Sequence, residues 1–366
     1  MVMQRVAPAD DASQEPMGTS VVNRDAACES ISEIGRASLA RFAWFVVAYN
    51  IAVIVWGAYV RATGSGAGCG SHWPLCNGEF LPKTPQTQTV IEFTHRVTSG
   101  LSLVLVAILL IWCWRRTAKG DWPRYSAVAA AVLLFNEALL GALLVLFDHV
   151  GGLDRSATHA LFLCLHFGNT LLLLAALALT AKWLSNCDRR FSVLPRPYQT
   201  IATVLGLVSV MVIGMTGSLA SLGDTLFPAD SLRHAVVQDF SSSSHILLRL
   251  RVLHPIAAVI GSIYVLWLLQ TFWRKQERSP WRPVTLTAQI ALGAMNVILL
   301  APVWLQMTHL LVAELFWILL VLASADQLLA TQHSGVPLSR KKSTAANWSL
   351  DFTTADHISR RGGSSS

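Results

Sequence analysis

The sequence predicts an all-α polytopic membrane protein, with eight transmembrane helices arranged as two repeated four-helix bundles. Three observations lead to this fold class. Of the 366 residues, 53% are hydrophobic and only 13% are charged, whereas soluble domains carry about 25% charged residues. Apolar stretches near or above 18 residues recur along the chain, and such stretches can cross a bilayer core of about 30 Å. Histidines also recur at corresponding places in the two halves of this series.

The apolar stretches define the predicted spans, which lie at residues 42–62, 91–114, 125–147, 158–181, 200–220, 248–271, 284–303 and 306–329. Only Pro302 to Gln306 separate the last two stretches. A proline followed by a polar residue favours a tight turn between two helices, so we count two spans here and not one long one.

The spans divide the chain into five segments. These are a cytoplasmic N-terminal tail (1–41), an N-terminal four-helix bundle (42–181), a cytoplasmic linker (182–199), a C-terminal four-helix bundle (200–330) and a cytoplasmic tail (331–366). Both tails are polar and mixed in charge, which is typical of soluble segments.

Lys and Arg residues cluster in the loops between spans 2 and 3, 4 and 5, and 6 and 7, and in the C-terminal tail. The positive-inside rule therefore predicts a multi-pass protein of the cell membrane with both termini in the cytoplasm. This topology accounts for the net charge of +7. The charge thus does not indicate a nucleic-acid partner, and the expected surroundings are the lipid bilayer.

The two halves resemble each other. Met215-Thr216-Gly217-Ser218 in span 5 is similar to Ala62-Thr63-Gly64-Ser65 after span 1, and histidines recur in the second and fourth span of each half. Because each half has four spans, both halves share one orientation. A pseudo-twofold axis along the membrane normal would relate them, as in parallel repeats.

Four histidines carry the strongest functional signal: His95, His166, His254 and His309. Ionisable residues inside a membrane are rare and usually face the bundle interior. A neutral imidazole suits iron, and a haem iron accepts two axial imidazoles from facing helices. Pairing within each half predicts one haem site from His95 with His166, and another from His254 with His309. The alternative is that each ring only hydrogen-bonds a neighbouring helix.

Other polar residues near these histidines leave alternatives open. His159 lies two helical turns before His166 on nearly the same face, so it competes as a ligand. Glu137, Asn169 and Asn296 lie inside spans and can form interhelical hydrogen bonds. Glu314 lies inside span 8 and receives no catalytic role.

Glu92 precedes His95 by three residues, so the two share a helix face. Beside a haem, a carboxylate could take up a proton or stabilise positive charge on a substrate. Alternatively, it is a helix-start carboxylate that interacts favourably with the helix dipole. Arg251 stands at the matching position before His254. This asymmetry predicts a reactive N-terminal half and an electron-carrying or structural C-terminal half.

The first outer loop contains Cys69 and Cys76, seven residues apart among glycines and prolines. Outside the cytoplasm such a pair predicts a disulfide, with either a structural or a redox role. Three arginines lie close to the histidines and could bind haem propionates bidentately: Arg61, Arg96 and Arg251. Snorkelling to lipid headgroups is the alternative for each of them.

These residues together resemble haem A synthase of the bacterial type. The similarity is most specific over residues 61–100, where Thr-Gly-Ser-Gly-Ala-Gly-Cys and Trp-Pro-Leu-Cys-Asn-Gly precede Glu-Phe-Thr-His-Arg. It continues over about residues 42–330 with Leu-His-Phe-Gly-Asn-Thr, Arg-Val-Leu-His-Pro and Thr-His-Leu-Leu around the other three histidines. The long outer loop from Ser221 to Ser244 and the long tails depart from this resemblance.

The resemblance implies that the protein oxidises a methyl group of haem O to the formyl group of haem A by successive hydroxylations. It implies that His95 and His166 hold the substrate haem, that His254 and His309 hold a permanent haem b, and that Glu92 is the catalytic acid. The Cys69–Cys76 pair matches members in which an outer-loop pair has a redox function.

The resemblance also implies partners in a biosynthetic route, namely haem O synthase (a protohaem farnesyltransferase) and cytochrome oxidase assembly factors. It leaves a homo-oligomer open. The alternative function is a di-haem b-type cytochrome that relays electrons without modifying haem, for which neither Glu92 nor the cysteine pair is needed. A transporter is disfavoured because polar residues cluster towards the outer face and not around a midplane site.

Overall fold

The computed structural model describes residues 33–83, 85–147, 156–185, 197–241, 244–271 and 281–328. Ten α-helices occur within these ranges: α1 (Glu33–Ala62), α2 (Thr87–Arg116), α3 (Trp122–Leu146), α4 (Ala157–Ser185), α5 (Pro197–Leu226), α6 (Leu232–Phe240), α7 (Ile246–Arg251), α8 (Leu253–Thr271), α9 (Trp281–Ile298) and α10 (Val303–Leu328). A short 3-10 turn, Ser65–Ala67, follows α1. The protein is therefore all-helical over its described residues, as the sequence predicts.

Seven helical segments in the described ranges are long and apolar enough to cross a membrane: α1 from Gly35, α2, α3, α4, α5, the joined α7 and α8, and α10. The prediction of eight spans is confirmed for these seven only. Helix α9 occupies the place of the predicted span 284–303, but it has 18 residues, or about 27 Å. It also carries Arg282, Gln289 and Asn296, which lower its hydropathy.

Several predicted boundaries shift in the structure. Helix α1 begins at Glu33, inside the predicted tail, and α10 begins at Val303, so the turn before it comprises residues 299–302. Leu300 and Ala301 adopt positive φ angles there. The predicted outer loop from Ser221 includes the end of α5 and the short helix α6. Most of both tails, the greater part of the linker and the basic loop between spans 6 and 7 lie outside the described residues.

Two hydrophobic clusters form the interior. The first joins α1, α2, α3 and α4, and also receives Ile318 from α10. The second joins α5, α8, α9 and α10, and also receives Leu171 and Leu174 from α4. Helices α4 and α10 thus contribute to both clusters, and of the seven candidate spans they bury the largest share of their residues.

Close packing of α4 follows from its small residues. Gly168, Ala176, Ala178 and Ala181 are all buried, and small residues let helix backbones approach in a membrane, where van der Waals packing drives association. A buried hydrogen bond of 2.7 Å from the indole N–H of Trp317 to the carbonyl of Leu171 joins α10 to α4. The contact between these two helices places the histidines of both halves within one compact unit.

Candidate functional site

Each histidine of the N-terminal half lies against a glycine of a neighbouring helix. A Cβ atom added at Gly57 on α1 would stand 2.7 Å from Cε1 of His95, which is shorter than real side chains tolerate. A Cβ atom added at Gly141 on α3 would stand 3.6 Å from Cε1 of His166, an ordinary van der Waals distance. The backbone of the neighbouring helix therefore forms one wall beside each ring.

The C-terminal half repeats this arrangement. A Cβ atom added at Gly217 on α5 would stand 3.0 Å from Cε1 of His254, and one added at Gly293 on α9 would stand 3.1 Å from Cε1 of His309. The first and third helix of each half thus supply the glycines, and the second and fourth supply the histidines.

This pattern corrects the alignment that the sequence suggested. Gly217 corresponds to Gly57, which contacts His95, and not to Gly64, which lies beyond α1 with open space at its Cα. The similarity between residues 62–65 and 215–218 is therefore not the structural repeat. Helix α9 provides this contact through Gly293 although it is not one of the seven candidate spans.

The rings of His254 and His309 fit a bis-imidazole haem site. Their centroids lie 6.4 Å apart with an interplanar angle of 82°. Metal–imidazole bonds of about 2 Å place the centres of two axial rings roughly 6 Å apart. Nδ1 of His254 lies 3.1 Å from the carbonyl oxygen of Ile213. With the proton on Nδ1, this bond fixes the tautomer and leaves the Nε2 lone pair for iron.

His95 and His166 also lie within electrostatic range of each other. Nδ1 of each ring is buried and has no hydrogen-bond partner among the described residues. The proximity to His95 favours His166 over His159, which lies two turns earlier on α4 and is 8% exposed.

Glu92 is buried and firmly held. Its Oε2 accepts a hydrogen bond of 2.7 Å from the backbone N–H of Cys69. Its Oε1 accepts bonds of 3.0 Å from Nε and 2.5 Å from Nη2 of Arg96, one helical turn later. The carboxylate is therefore an anchor between α2 and the first outer loop, in addition to lying on the helix face of His95.

The first outer loop is attached to α2 by three further contacts. Arg96 Nη1 donates to the carbonyls of His72 and Leu75, at 2.5 and 2.7 Å. Thr89 Oγ1 donates to the carbonyl of Gly68 at 2.8 Å. A Cβ atom at Gly68 would stand 2.5 Å from the α2 backbone, so only glycine allows this approach.

Cys69 and Cys76 form the predicted disulfide within this loop, and both are buried. The N–H of Asn77 donates to the carbonyl of Cys69 at 2.9 Å, which closes the same turn. The disulfide therefore shapes the segment whose Cys69 N–H binds Glu92.

Arg251, which stands where Glu92 stands in the first half, forms a different clamp. It donates from Nη1 to Asp224 at 3.0 Å and from Nε to Asp239 at 2.8 Å. Asp239 belongs to α6, so this arginine attaches the outer loop between spans 5 and 6 to the helices. In each half, the residue three before the histidine thus holds the outer loop, but with opposite charge.

The three arginines predicted near haem propionates differ in what they already bind. Arg96 and Arg251 have protein partners at all three guanidinium nitrogens. Arg61 donates from Nη2 to Ser221 Oγ at 2.5 Å, and its buried Nη1 has no partner among the described residues. Arg61 therefore has a donor available for an anionic group.

Sequence reasoning missed the contact between Glu137 and His166, although it predicted interhelical bonding by Glu137. Oε1 of Glu137 lies 3.4 Å from Nδ1 of His166. The sequence predicted interhelical hydrogen bonds for Glu137 and for Asn169 without pairing them, and in the structure Asn169 Nδ2 donates to Glu137 Oε2 at 2.5 Å. The spacing of Glu137 four residues before Gly141 could have indicated its place, because it puts both residues on the helix face towards α4.

Comparison with known proteins places the chain in a family. Residues 40–321 match the family described as cytochrome oxidase assembly protein (COX15-CtaA). A protein of Thermus thermophilus named protoheme IX farnesyltransferase is 42% identical over 302 residues, which cover 79% of this chain and 48% of that protein.

Two proteins named heme A synthase are also similar. The one from Geobacillus kaustophilus is 38% identical over 152 residues, or 41% of this chain and 45% of that protein. The one from Shouchella clausii is 32% identical over 233 residues, or 60% of this chain and 72% of that protein. The chain spans about half the length of the Thermus and Geobacillus relatives. Because the family match covers most of the residues, the chain belongs to the cytochrome oxidase assembly protein family, COX15-CtaA.

Proposed function

We propose that the chain is a haem A synthase, which oxidises a ring methyl group of haem O to a formyl group. Each of two hydroxylations takes an oxygen atom from water, releases two protons and passes two electrons to an external acceptor, and the resulting hydrate loses water to leave the aldehyde. Family membership and the two relatives named heme A synthase support this activity. The observation that carries it is the asymmetry between two otherwise matching histidine–glycine sites, since only one has a carboxylate beside it.

In this proposal His95 and His166 bind the iron of the substrate haem, and Gly57 and Gly141 leave room for the Cε1 atoms of the two rings beside the neighbouring helices. Glu92 lies one turn before His95 and is held by Arg96 and the Cys69 N–H. From there its carboxylate stabilises positive charge near the methyl carbon or directs water to it. General acid–base groups of this kind contribute about 10²–10⁴-fold to a rate.

His254 and His309 bind a permanent haem b in the C-terminal half, which supplies one-electron redox chemistry when bound. The ring spacing of 6.4 Å supports this assignment. Arg251 is neutralised by Asp224 and Asp239, so the position that corresponds to Glu92 carries no acid. The proposed division of labour is substrate oxidation in the first half and electron transfer in the second.

Arg61 is the proposed propionate ligand, because its Nη1 is buried without a partner in the described part of the chain. A guanidinium binds a carboxylate bidentately when two N–H groups are available. Arg96 and Arg251 instead keep the outer loops in place, and would meet a propionate only by giving up protein contacts.

The disulfide Cys69–Cys76 positions the N–H group that binds Glu92, which supports a structural role. A redox role is compatible with the same position, since opening the bridge would release Glu92. The proposed arrangement retains two four-helix bundles, residues 42–181 and 200–330, in the cell membrane with both termini in the cytoplasm.

The proposed partners are a protohaem farnesyltransferase and cytochrome oxidase assembly factors. The Thermus relative supports the first partner. It bears the farnesyltransferase name and is about twice as long as the region that it shares with this chain. We infer that a farnesyltransferase supplies haem O directly to this protein.

The test is the haem content of the purified protein and of Glu92→Ala, expressed in cells that supply haem O. Extracted haems are separated and identified by mass. Haem b together with haem O or A in the wild type, and haem O or a partly oxidised haem in the variant, would support the synthase.

Two other results would contradict the proposal. Haem b alone in both proteins would favour a di-haem cytochrome that only relays electrons. Absence of any haem would contradict the assignment of the four histidines as haem ligands.

A further inference from the structure

We infer that Glu137 is a positioning residue for His166. The Glu137 carboxylate accepts the Nδ1–H of His166 while Nε2 binds the iron. This inference rests on the proposed function, since it requires a haem at His166.

Glu137 places a carboxylate acceptor beside the imidazole ring of His166. Oε1 of Glu137 lies 3.4 Å from Nδ1 of His166. Nδ1 is buried and bonds to nothing else among the described residues. Distances of this size shorten when a ligand fixes the ring, because catalytic hydrogen bonds are often long before binding.

Glu137 is itself held by donors. Asn169 Nδ2 donates to its Oε2 at 2.5 Å, and Thr170 Oγ1 donates to its Oε1. Asn136 Nδ2 in turn donates to Asn169 Oδ1 at 2.8 Å. An ionised carboxylate is an acceptor with about four lone-pair sites, so it can accept these donors and an imidazole N–H together. The network fixes the carboxylate in place before any haem binds.

Gln289 occupies the same position in the second half. It precedes Gly293 by four residues, as Glu137 precedes Gly141, and each glycine contacts the histidine of the following helix. The amide nitrogen of Gln289 lies 3.2 Å from Nε2 of His309. The repeat therefore places a side chain against each ring, but only the Glu137 carboxylate faces an Nδ1 atom, which is the nitrogen left over when Nε2 binds iron.

This difference changes the properties of the two irons. A carboxylate that accepts the second N–H of a ligating histidine raises the basicity of that ligand, and loss of such partners costs about 10- to 100-fold in metal affinity. A more basic axial ligand stabilises the oxidised iron, since hydrogen bonding around the haem is one of the means of tuning its potential. The haem held by His166 should therefore have a lower reduction potential in the wild type than in Glu137→Gln.

The experiment is a redox titration followed by absorbance, on purified full-length protein. Each haem is titrated in a background in which the two histidines of the other half are replaced by alanine. Glu137→Gln should shift the reduction equilibrium of the N-terminal haem about tenfold towards the reduced form, or 59 mV upwards for one electron. The conservative variant Glu137→Asp, which keeps a carboxylate, should have a potential near that of the wild type.

An N-terminal haem that is retained in Glu137→Gln with an unchanged potential would overturn the inference and leave the proposed function intact. Absence of haem from the wild-type N-terminal half would contradict both. If Glu137→Gln loses its haem, Glu137→Asp decides: a haem retained with a potential near that of the wild type supports the inference, and a haem lost as in Glu137→Gln overturns it.

Discussion

The two halves of the chain build the same contact and surround it differently. In both, a histidine on the second helix packs against a glycine on the first, at Gly57 and at Gly217. Three residues before the histidine, the first half has Glu92 and the second has Arg251. Each of these residues ties down the outer loop of its own half.

This difference shows how one helical scaffold can hold two sites of different chemistry. The histidine–glycine contact is set by helix backbones and is shared, because it needs only close approach. Charge is set by single side chains at equivalent positions. Glu92 and Glu137 bring carboxylates to the first site, whereas Arg251 and Gln289 stand at the same positions of the second. The predictions below each remove one of these differences or one of the shared contacts.

The largest effect is expected from breaking the clamp on Glu92. Arg96→Gln leaves a carboxylate that is 4% exposed without its partner, and breaking such a buried pair costs about 3–5 kcal/mol. The control Arg251→Gln should cost less, since Asp224 is 29% exposed. Thermal unfolding in detergent measures both variants. A smaller loss of stability in Arg96→Gln than in Arg251→Gln would contradict the role of Arg96 in holding the buried Glu92 carboxylate.

Removal of the disulfide should have the next largest effect on stability, and it should affect haem binding only in the first half. Replacing Cys69 and Cys76 by serine opens a short loop, for which chain entropy predicts a loss of about 2–3 kcal/mol. Stability and haem content are measured together, with Cys164→Ser as the matched control. Loss of haem from His254 and His309 in the double variant would contradict a role confined to the first half.

The smallest effect is expected from substitutions at the histidine–glycine contact that both halves share. Gly57→Ala would place a methyl group 2.7 Å from the His95 ring, whereas Gly141→Ala would place one at an ordinary 3.6 Å from His166. We expect Gly57→Ala to lower haem retention in the N-terminal half about 10- to 100-fold, as other disturbances of ligand support do. Gly141→Ala should retain haem. Haem content is measured after dialysis. Equal losses of haem in both variants would show that the distance between glycine and histidine does not determine how well the histidine binds haem.

Much of this arrangement follows from local features of the sequence. Apolar length indicated the helices, and the rarity of histidine inside membranes singled out the four rings that the structure brings together in pairs. The cysteine pair indicated its disulfide because seven residues and several glycines suffice to bring the two side chains together.

Other features depend on packing that no local pattern specifies. The close approach of Gly57 to His95 depends on how α1 crosses α2, so the more conspicuous Thr-Gly-Ser match drew attention to Gly64. Helix α9 was predicted as a full span from the length of its apolar stretch, although Gln289 and Asn296 interrupt that stretch, and the contact of Gln289 with His309 depends on packing. The carbonyl partners of Arg96 were hidden because backbone acceptors leave no signature in a sequence.

The central claim is that the two histidine pairs hold two different haems, and the most direct measurement is haem content by mass in two double variants. The account predicts that His95→Ala with His166→Ala loses haem O and haem A and retains haem b. It predicts that His254→Ala with His309→Ala loses haem b and retains haem O. Loss of the same haem from both variants, or of neither haem from either, would contradict it.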